Sequence, residues 1–361
     1  MGGSDIGSRS LTCSIHRAAG TKSEARSPPN QKSVLFINYT EQYIILMLFI
    51  LRKVIPWMYP VTEINAVTTW LPRETTHMRR FKVLHQTIYE YSDRVQLEAH
   101  TLRLRPREDH NQHIEFALLD ISPPANLRWH RDVESNSVAV ATFSEPTDRL
   151  LIESTTVIQK FDEIPQDFLI SDYAVTYPFA YPEEDCITLK PYLNDGNIAH
   201  TTQLDDWIKS VWTKDKQVQT FELLLLLNQQ IYESITYTVR EDEGVQSTIT
   251  TLSTKSGSCR DLASLYIDVV RHLGFAARFV SGYVYTESSE NIAETTHAWA
   301  EVFIPGAGWK GFDPTHGNLV GAEHITVAVS RLPDLVPPVS GAFWGLPGSA
   351  MKVNVWTTQL D

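Results

Sequence analysis

Between Gly257 and Tyr285 the sequence GSCRDLASLYIDVVRHLGFAARFVSGYVY changes period within a few residues. Leu262, Leu265, Tyr266, Val269, Val270 and Leu273 recur at helical spacing, so they line one face of a helix. Gly274 stands where a glycine just past the C-cap ends a helix, and Arg271 and His272 put positive charge in its last turn. Beyond it ARFVSGYVY, HAWAEVFI and WKGFD read as strands. A single strongly faced helix followed by closely connected strands constrains this half to one architecture. The helix is central and packs on an antiparallel sheet, an α+β arrangement.

The chain upstream has a different texture. FKVLHQTIYEY and HTLRLRP alternate apolar and polar residues, HIEFALLDISP continues the pattern, and RLLIESTTVIQKF supplies a further strand. LRWHRDVESNSVAVATF predicts a hairpin turning near Ser135 and Asn136. Some five strands at short spacing with no helical stretch between them predict a β-sandwich-like domain over residues 78–165. Residues 166–200 are rich in Pro, Tyr, Phe and acidic residues and read as an ordered linker. Thr202 is a candidate cap for a short helix, and TFELLLLLNQQIYESI reads as a mostly buried one. Residues 201–361 then form the second domain.

Residues 1–77 carry eight Lys and Arg against five Asp and Glu, so a net charge of +3 there leaves −15 on the rest. Their one apolar run, Tyr43 to Leu51, is about half of what a membrane helix needs and lies too far from Met1 for an ordinary signal peptide. Met78 directly precedes the first strand, so this segment is expected to be a poorly ordered extension or an upstream stretch absent from the native protein. A net charge of −12 argues against nucleic acid as the main partner, because phosphate binding calls for a basic surface. Cys13, Cys186 and Cys259 are far apart and lack CxxC or CxxH spacing, which argues against a disulfide framework or a zinc site. Free thiols suit a reducing compartment, so a cytoplasmic location is expected.

Cys259 opens the helix. The unpaired amides and dipole of a helix N-terminus favour thiolate over thiol, and the same amides suit an oxyanion formed when sulfur attacks a carbonyl. A lone cysteine there is still most often a buried structural residue. His297 alters the balance: it opens the strand HAWAEVFI, and Asp313 closes the next strand, WKGFD. If those strands are antiparallel neighbours joined through PGAG, the start of one lies beside the end of the other. A carboxylate then stands where it orients an imidazole, and the imidazole pairs with a thiol on the packed helix.

GSCRDLA, ARFVSGYV, THAWAEVFIPGAGWKGFDPT and the following EHITVAVSR resemble the bacterial transglutaminase-like family of candidate cysteine proteases, over about residues 200–357. LRLRPR, LRWHRD and SNSVAVATFSEPT resemble the β-domain that precedes the core in that family. The resemblance implies a papain-like fold, with Cys259 as nucleophile, His297 as general base and acid, and Asp313 as the orienting residue. Asp261 follows the family pattern, and it either bonds helix-end amides or a neighbouring strand or merely satisfies a charge preference. His324, in EHI, matches a recurring family position and reads as structural. SRLPD departs from the glycine, arginine and aspartate run of relatives, which affects only the local loop. Trp299, Trp309 and Tyr283 either line an acyl groove or pack the sheet.

The leading expectation is thiol-dependent acyl transfer on a peptide or protein amide through a thioester, with hydrolysis favoured over transamidation. A non-catalytic binding protein on the same fold is the alternative, and a membrane-associated assembly factor built on the N-terminal apolar run is a third reading. No phosphate loop, dinucleotide fingerprint or calcium loop stands in the sequence, so no cofactor and no metal are expected.

Overall fold

The computed structural model describes residues 78–360 apart from 162–165, 194–201, 214–216, 241, 291–292 and 347. The expectation for residues 1–77 therefore lies outside the described residues. The chain first forms strands β1 (Met78–Leu97), β2 (His100–Leu102), β3 (Gln112–Ser122), β4 (Asn126–Arg131), β5 (Ser137–Thr142) and β6 (Thr147–Phe161). In β6 the residues Leu150, Ile152, Ser154, Thr156 and Ile158 are buried, while the residues between them are partly exposed. That is the period-2 pattern of a strand with one face on the core. β1 pairs with β6, and β6 with β3; β2, β5 and β4 form a second sheet. Tyr91, Val95, Leu97, Leu102, Leu104, Ala139, Ala141, Leu150 and Ile152 fill the space between the two sheets, so this region is a sandwich. The hairpin turns where the sequence indicated: Arg131 pairs with Ser137, and Ser135 adopts φ 63°. Asp132 Oδ1 accepts from the amides of Glu134 and Asn136 and closes the turn.

Among the described residues five α-helices follow: α1 (Glu183–Leu189), α2 (Thr202–Val211), α3 (Thr220–Ser234), α4 (Thr248–Thr254) and α5 (Cys259–His272). The predicted face of α5 is buried in full: Leu262, Leu265, Tyr266, Val269, Val270 and Leu273 all belong to the largest core cluster. Each fully buried apolar side chain contributes about 1.5–3 kcal/mol, which is why this helix organises the half. It packs against β7 (Ala277–Val284) and β8 (His297–Ile304) and against α3, whose Leu224 carbonyl accepts from Tyr266 Oη at 3.0 Å. Gly274, at φ 91°, ends it, with the Phe275 amide donating to the Val270 carbonyl at 3.0 Å. β9 (Gly308–Asp313) and β10 (His324–Ser330) complete an antiparallel sheet in the order β9-β8-β7-β10, with Asn318–Leu319 pairing beyond β9.

The last strand, β11 (Ser349–Leu360), ties residues 201–361 to the sandwich by pairing along β1 from Arg80↔Leu360 to Tyr91↔Ser349. Phe81, Val83, Ile158, Tyr283, Ile325, Val327 and Val355 form one cluster shared by the sandwich and the sheet that contains β7 and β10. The segment before α2 also contributes to the core. Tyr177, Phe179, Tyr181 and Leu189 are buried in the core of α5, and Tyr181 Oη donates to the Phe303 carbonyl while accepting from the Ala276 amide. Aperiodic, proline-rich composition conceals such a strap because its anchors are aromatic rings spaced by contact rather than by a helix or strand period. Among the described residues no helix is long and apolar enough to cross a membrane.

Candidate active site

Cys259 is the first residue of α5, with Ser258 as its N-cap in extended conformation. Gly257 precedes them because a Cβ there would meet Asp261 Cβ at 2.9 Å, Gln246 Nε2 at 3.0 Å and Leu262 Cδ1 at 3.1 Å. Asp261 resolves the open alternatives for its role. Its carboxylate accepts from the Ser258 amide at 2.8 Å, Ser258 Oγ at 2.7 Å, the Gln246 amide at 2.8 Å and Arg240 Nη1 at 2.7 Å. Burial pushes its pKa up, but these hydrogen bonds outweigh that and hold it below the ordinary carboxylate range. The helix start is thereby fastened to the segment that follows Thr236–Tyr237, which itself pairs in parallel with Ser256–Gly257.

β8 pairs with β9 in a register that sets Ala300 against Phe312, so Asp313 falls opposite Trp299 and diagonal to His297. His297 Nε2 donates to Asp313 Oδ2 at 2.7 Å. The Cys259 thiol acts on the same imidazole and raises its pKa. All three residues singled out in the sequence are thus brought together: Cys259 from the helix, His297 from a strand start and Asp313 from the neighbouring strand end. Cys259 is half-buried and its Sγ lies 4.0 Å from the Thr296 carbonyl, while His297 is nearly buried and Asp313 fully so.

The carboxylate has more partners than the sequence indicated. His316 Nδ1 reaches Oδ2 at 2.7 Å, His324 Nε2 reaches it at 3.2 Å, and the Thr315 amide donates to Oδ1 at 2.9 Å. Asn228 on α3 donates to the carbonyls of Asp313 and Asn318 and ties down the intervening turn. Burial disfavours the charged form of Asp313, but bonds to His297, His316 and His324 overcome it and hold the carboxyl well below its usual range. Burial also lowers the pKa of His297, yet Asp313 and Cys259 outweigh it and raise it to about 10. His316 escaped the sequence reading although it stands three residues after Asp313, because a turn histidine carries no periodic signal. Trp299 and Tyr283 are fully buried and pack the sheet, and the partly buried Trp309 lies under the Arg278 guanidinium at 4.3 Å.

His297, Asp313 and His316 present ligand atoms within 4.8 Å of one another, a spacing compatible with a metal ion. Their mutual hydrogen bonds already account for every one of these atoms, so the arrangement needs no ion to explain it.

A central helix with a cysteine at its N-terminus, on a sheet that offers histidine and aspartate at adjoining strand ends, defines the papain/transglutaminase-like core, a scaffold of thiol-dependent enzymes. Residues 81–159 match the bacterial transglutaminase-like N-terminal region and residues 208–314 match the transglutaminase-like superfamily. The chain belongs to that superfamily, in the bacterial form that carries this N-terminal region. An uncharacterized protein of Mycobacterium tuberculosis is 29% identical over 296 residues, spanning 76% of this chain and 90% of the relative. One from Mycobacterium leprae is 23% identical over 289 residues, covering 78% of this chain and 100% of the relative. Among solved structures, a candidate cysteine protease from Cytophaga hutchinsonii shares the fold with a TM-score of 0.59 at 20% identity, over 79% of this chain and 91% of that one.

Proposed function

We propose that this chain is a thiol-dependent acyl-transfer enzyme that hydrolyses peptide or amide bonds, with Cys259 as nucleophile, His297 as acid and base, and Asp313 as the orienting carboxylate. The observation that carries this reading is the 2.7 Å bond from His297 Nε2 to a fully buried Asp313, on a ring whose pKa is raised by that carboxylate and by Cys259. An imidazole that holds its proton up to about pH 10 is a cation at neutral pH, the partner that a reacting thiolate needs. The sulfur attacks the amide carbonyl, and the negative oxygen forms against the amides at the start of α5. His297 transfers its proton to the departing amine, the C–N bond breaks and a thioester remains. His297, now neutral, takes a proton from water, whose oxygen attacks the thioester; the acid leaves and the thiol–imidazole pair is restored. Cys259 is half-buried, so the thioester stays within reach of water, the second nucleophile of this reading.

Iodoacetamide at mildly acidic pH should alkylate Cys259 far faster than a free cysteine, and His297→Ala or Asp313→Asn should slow it by about 100-fold. Wild-type labelling no faster than that of free cysteine would overturn the reading and leave a non-catalytic binding protein. A peptide library incubated with and without a primary amine then separates the two outcomes for the thioester: free acid supports hydrolysis, whereas amide formation assigns transamidation.

A further inference from the structure

Asp313 is wholly shielded from water, so its charge depends on protein donors. On Oδ1 the donor is a backbone amide, that of Thr315. On Oδ2 three imidazoles converge, and they are not equivalent. The first, His297, changes its own charge during the reaction. His316 rides on an exposed turn, with its side chain 42% accessible. His324, at the start of β10, is 3% exposed and leads from the opposite end of the sheet order. Its ring is packed edge-on against Trp299, with centroids 5.3 Å apart. The Gly321 amide points at its Nδ1 at 3.3 Å. An N–H aimed at a ring nitrogen requires that nitrogen to accept, so the proton sits on Nε2, the nitrogen 3.2 Å from Asp313 Oδ2.

We propose that His324, as a neutral Nε2–H imidazole, is the positioning residue of this site: it holds the Asp313 carboxylate in the orientation from which Oδ2 receives His297. The inference rests on the thiol-dependent reading above. Asp313, His297 and His316 are the titratable groups that act on the ring. Burial lowers its pKa more than Asp313 raises it, in keeping with a neutral donor. A neutral donor matters most while the thioester exists. At that stage His297 has given up its proton and no longer offers a positive charge to the carboxylate. The His324 bond is independent of that change, so the carboxylate stays charged and aimed through both halves of the cycle. A histidine kept only for packing would have no reason to have its tautomer set by one backbone amide and its remaining N–H aimed at a buried carboxylate.

The test compares His324→Phe, which keeps a ring against Trp299 but has no N–H, with His324→Gln, whose Nε2 amide retains a donor at the same reach. The readout is the pH dependence of Cys259 alkylation by iodoacetamide in the full chain, alongside the thermal midpoint. In His324→Phe the acid limb should move up by about one pH unit, so that labelling at pH 6 falls about tenfold. The Gln variant should stay close to wild type. A Phe variant with an unmoved limb and a lowered thermal midpoint would assign His324 to packing alone and overturn the proposal, as would Gln and Phe variants with equal shifts. If His324→Phe does not fold, nitrogen-15 spectra of the wild-type imidazoles decide: an Nε2–H tautomer at His324 supports the proposal, and an Nδ1–H tautomer or an imidazolium overturns it. A wild-type profile like that of an ordinary thiol would reject the parent reading and this one together, whereas a wild-type acid-stable profile unchanged in His324→Phe rejects this one alone.

Discussion

His85 lies fully buried on β1, with Nε2 2.8 Å from Thr87 Oγ1 and Nδ1 3.2 Å from Tyr283 Oη on the adjoining sheet. Burial pushes its pKa down to about 4. In the unfolded chain the same ring takes up its proton near 6.5, so the unfolded state binds more protons between those values. Folding stability is therefore lost as pH falls from about 6.5 to about 4, by up to about 3 kcal/mol. His297 works in the opposite sense. Its pKa is raised to about 10, so its contribution is complete below about 6.5 and is lost as pH rises through 10. The two histidines bracket a stability maximum near neutrality. His85→Phe should flatten the acid side, and urea midpoints at pH 7.5 and 5 check this; an acid slope equal to wild type would remove His85 as its cause. Cys259, His297 and Asp313 were legible at this scale because they sit at element ends. His85 was not, because nothing in FKVLHQTIYEY says that Tyr283 will stand against it.

The element that governs the site is α5. Its apolar face, its terminating glycine and its N-terminal cysteine were all readable, since each follows from local spacing. What local spacing left open was how the helix start is held. Four donor groups converge on Asp261, among them Arg240, whose side chain is only 17% exposed. Replacing that carboxylate leaves the guanidinium with the exposed Asp242 alone, 3.5 Å from its Nε, and frees the Ser258 amide. Asp261→Ala should therefore cost about 3 kcal/mol in denaturant unfolding and slow Cys259 alkylation as the helix start loosens. A loss below about 1 kcal/mol, the worth of an exposed ion pair, would show that the network contributes little. Arg240 was invisible as its partner because the two are brought together by the parallel pairing of Thr236–Tyr237 with Ser256–Gly257.

At the scale of the whole molecule, the last strand joins the sandwich to the site. β11 runs antiparallel to β1 over twelve pairs, from Arg80↔Leu360 to Tyr91↔Ser349. At Val355 it also exchanges both backbone hydrogen bonds with Glu294, at 2.8 and 2.9 Å, three residues before His297. Ser289 Oγ donates to the Thr357 carbonyl at 2.9 Å, which fastens the same approach. A chain ended at residue 348 should expose the flank of β1, unfold at a lower temperature and label more slowly at Cys259. Thermal melts and alkylation rates on the truncated protein check this. A lower melting temperature with an unchanged rate would show that the approach to His297 stands without β11.

The sequence by itself determined the main strands, the helices α2, α3 and α5 but not the short α1 and α4, where α5 begins and ends, and that a cysteine, a histidine and an aspartate occupy element ends. These follow from period, capping and turn chemistry, which act over a few residues. Only the tertiary structure decided that the terminal strand returns to β1, that the apparent linker is an aromatic strap, and that three imidazoles share one carboxylate oxygen. Strand partners and buried polar contacts are chosen by burial and hydrogen-bond satisfaction between residues far apart in the chain, and no local pattern records that choice.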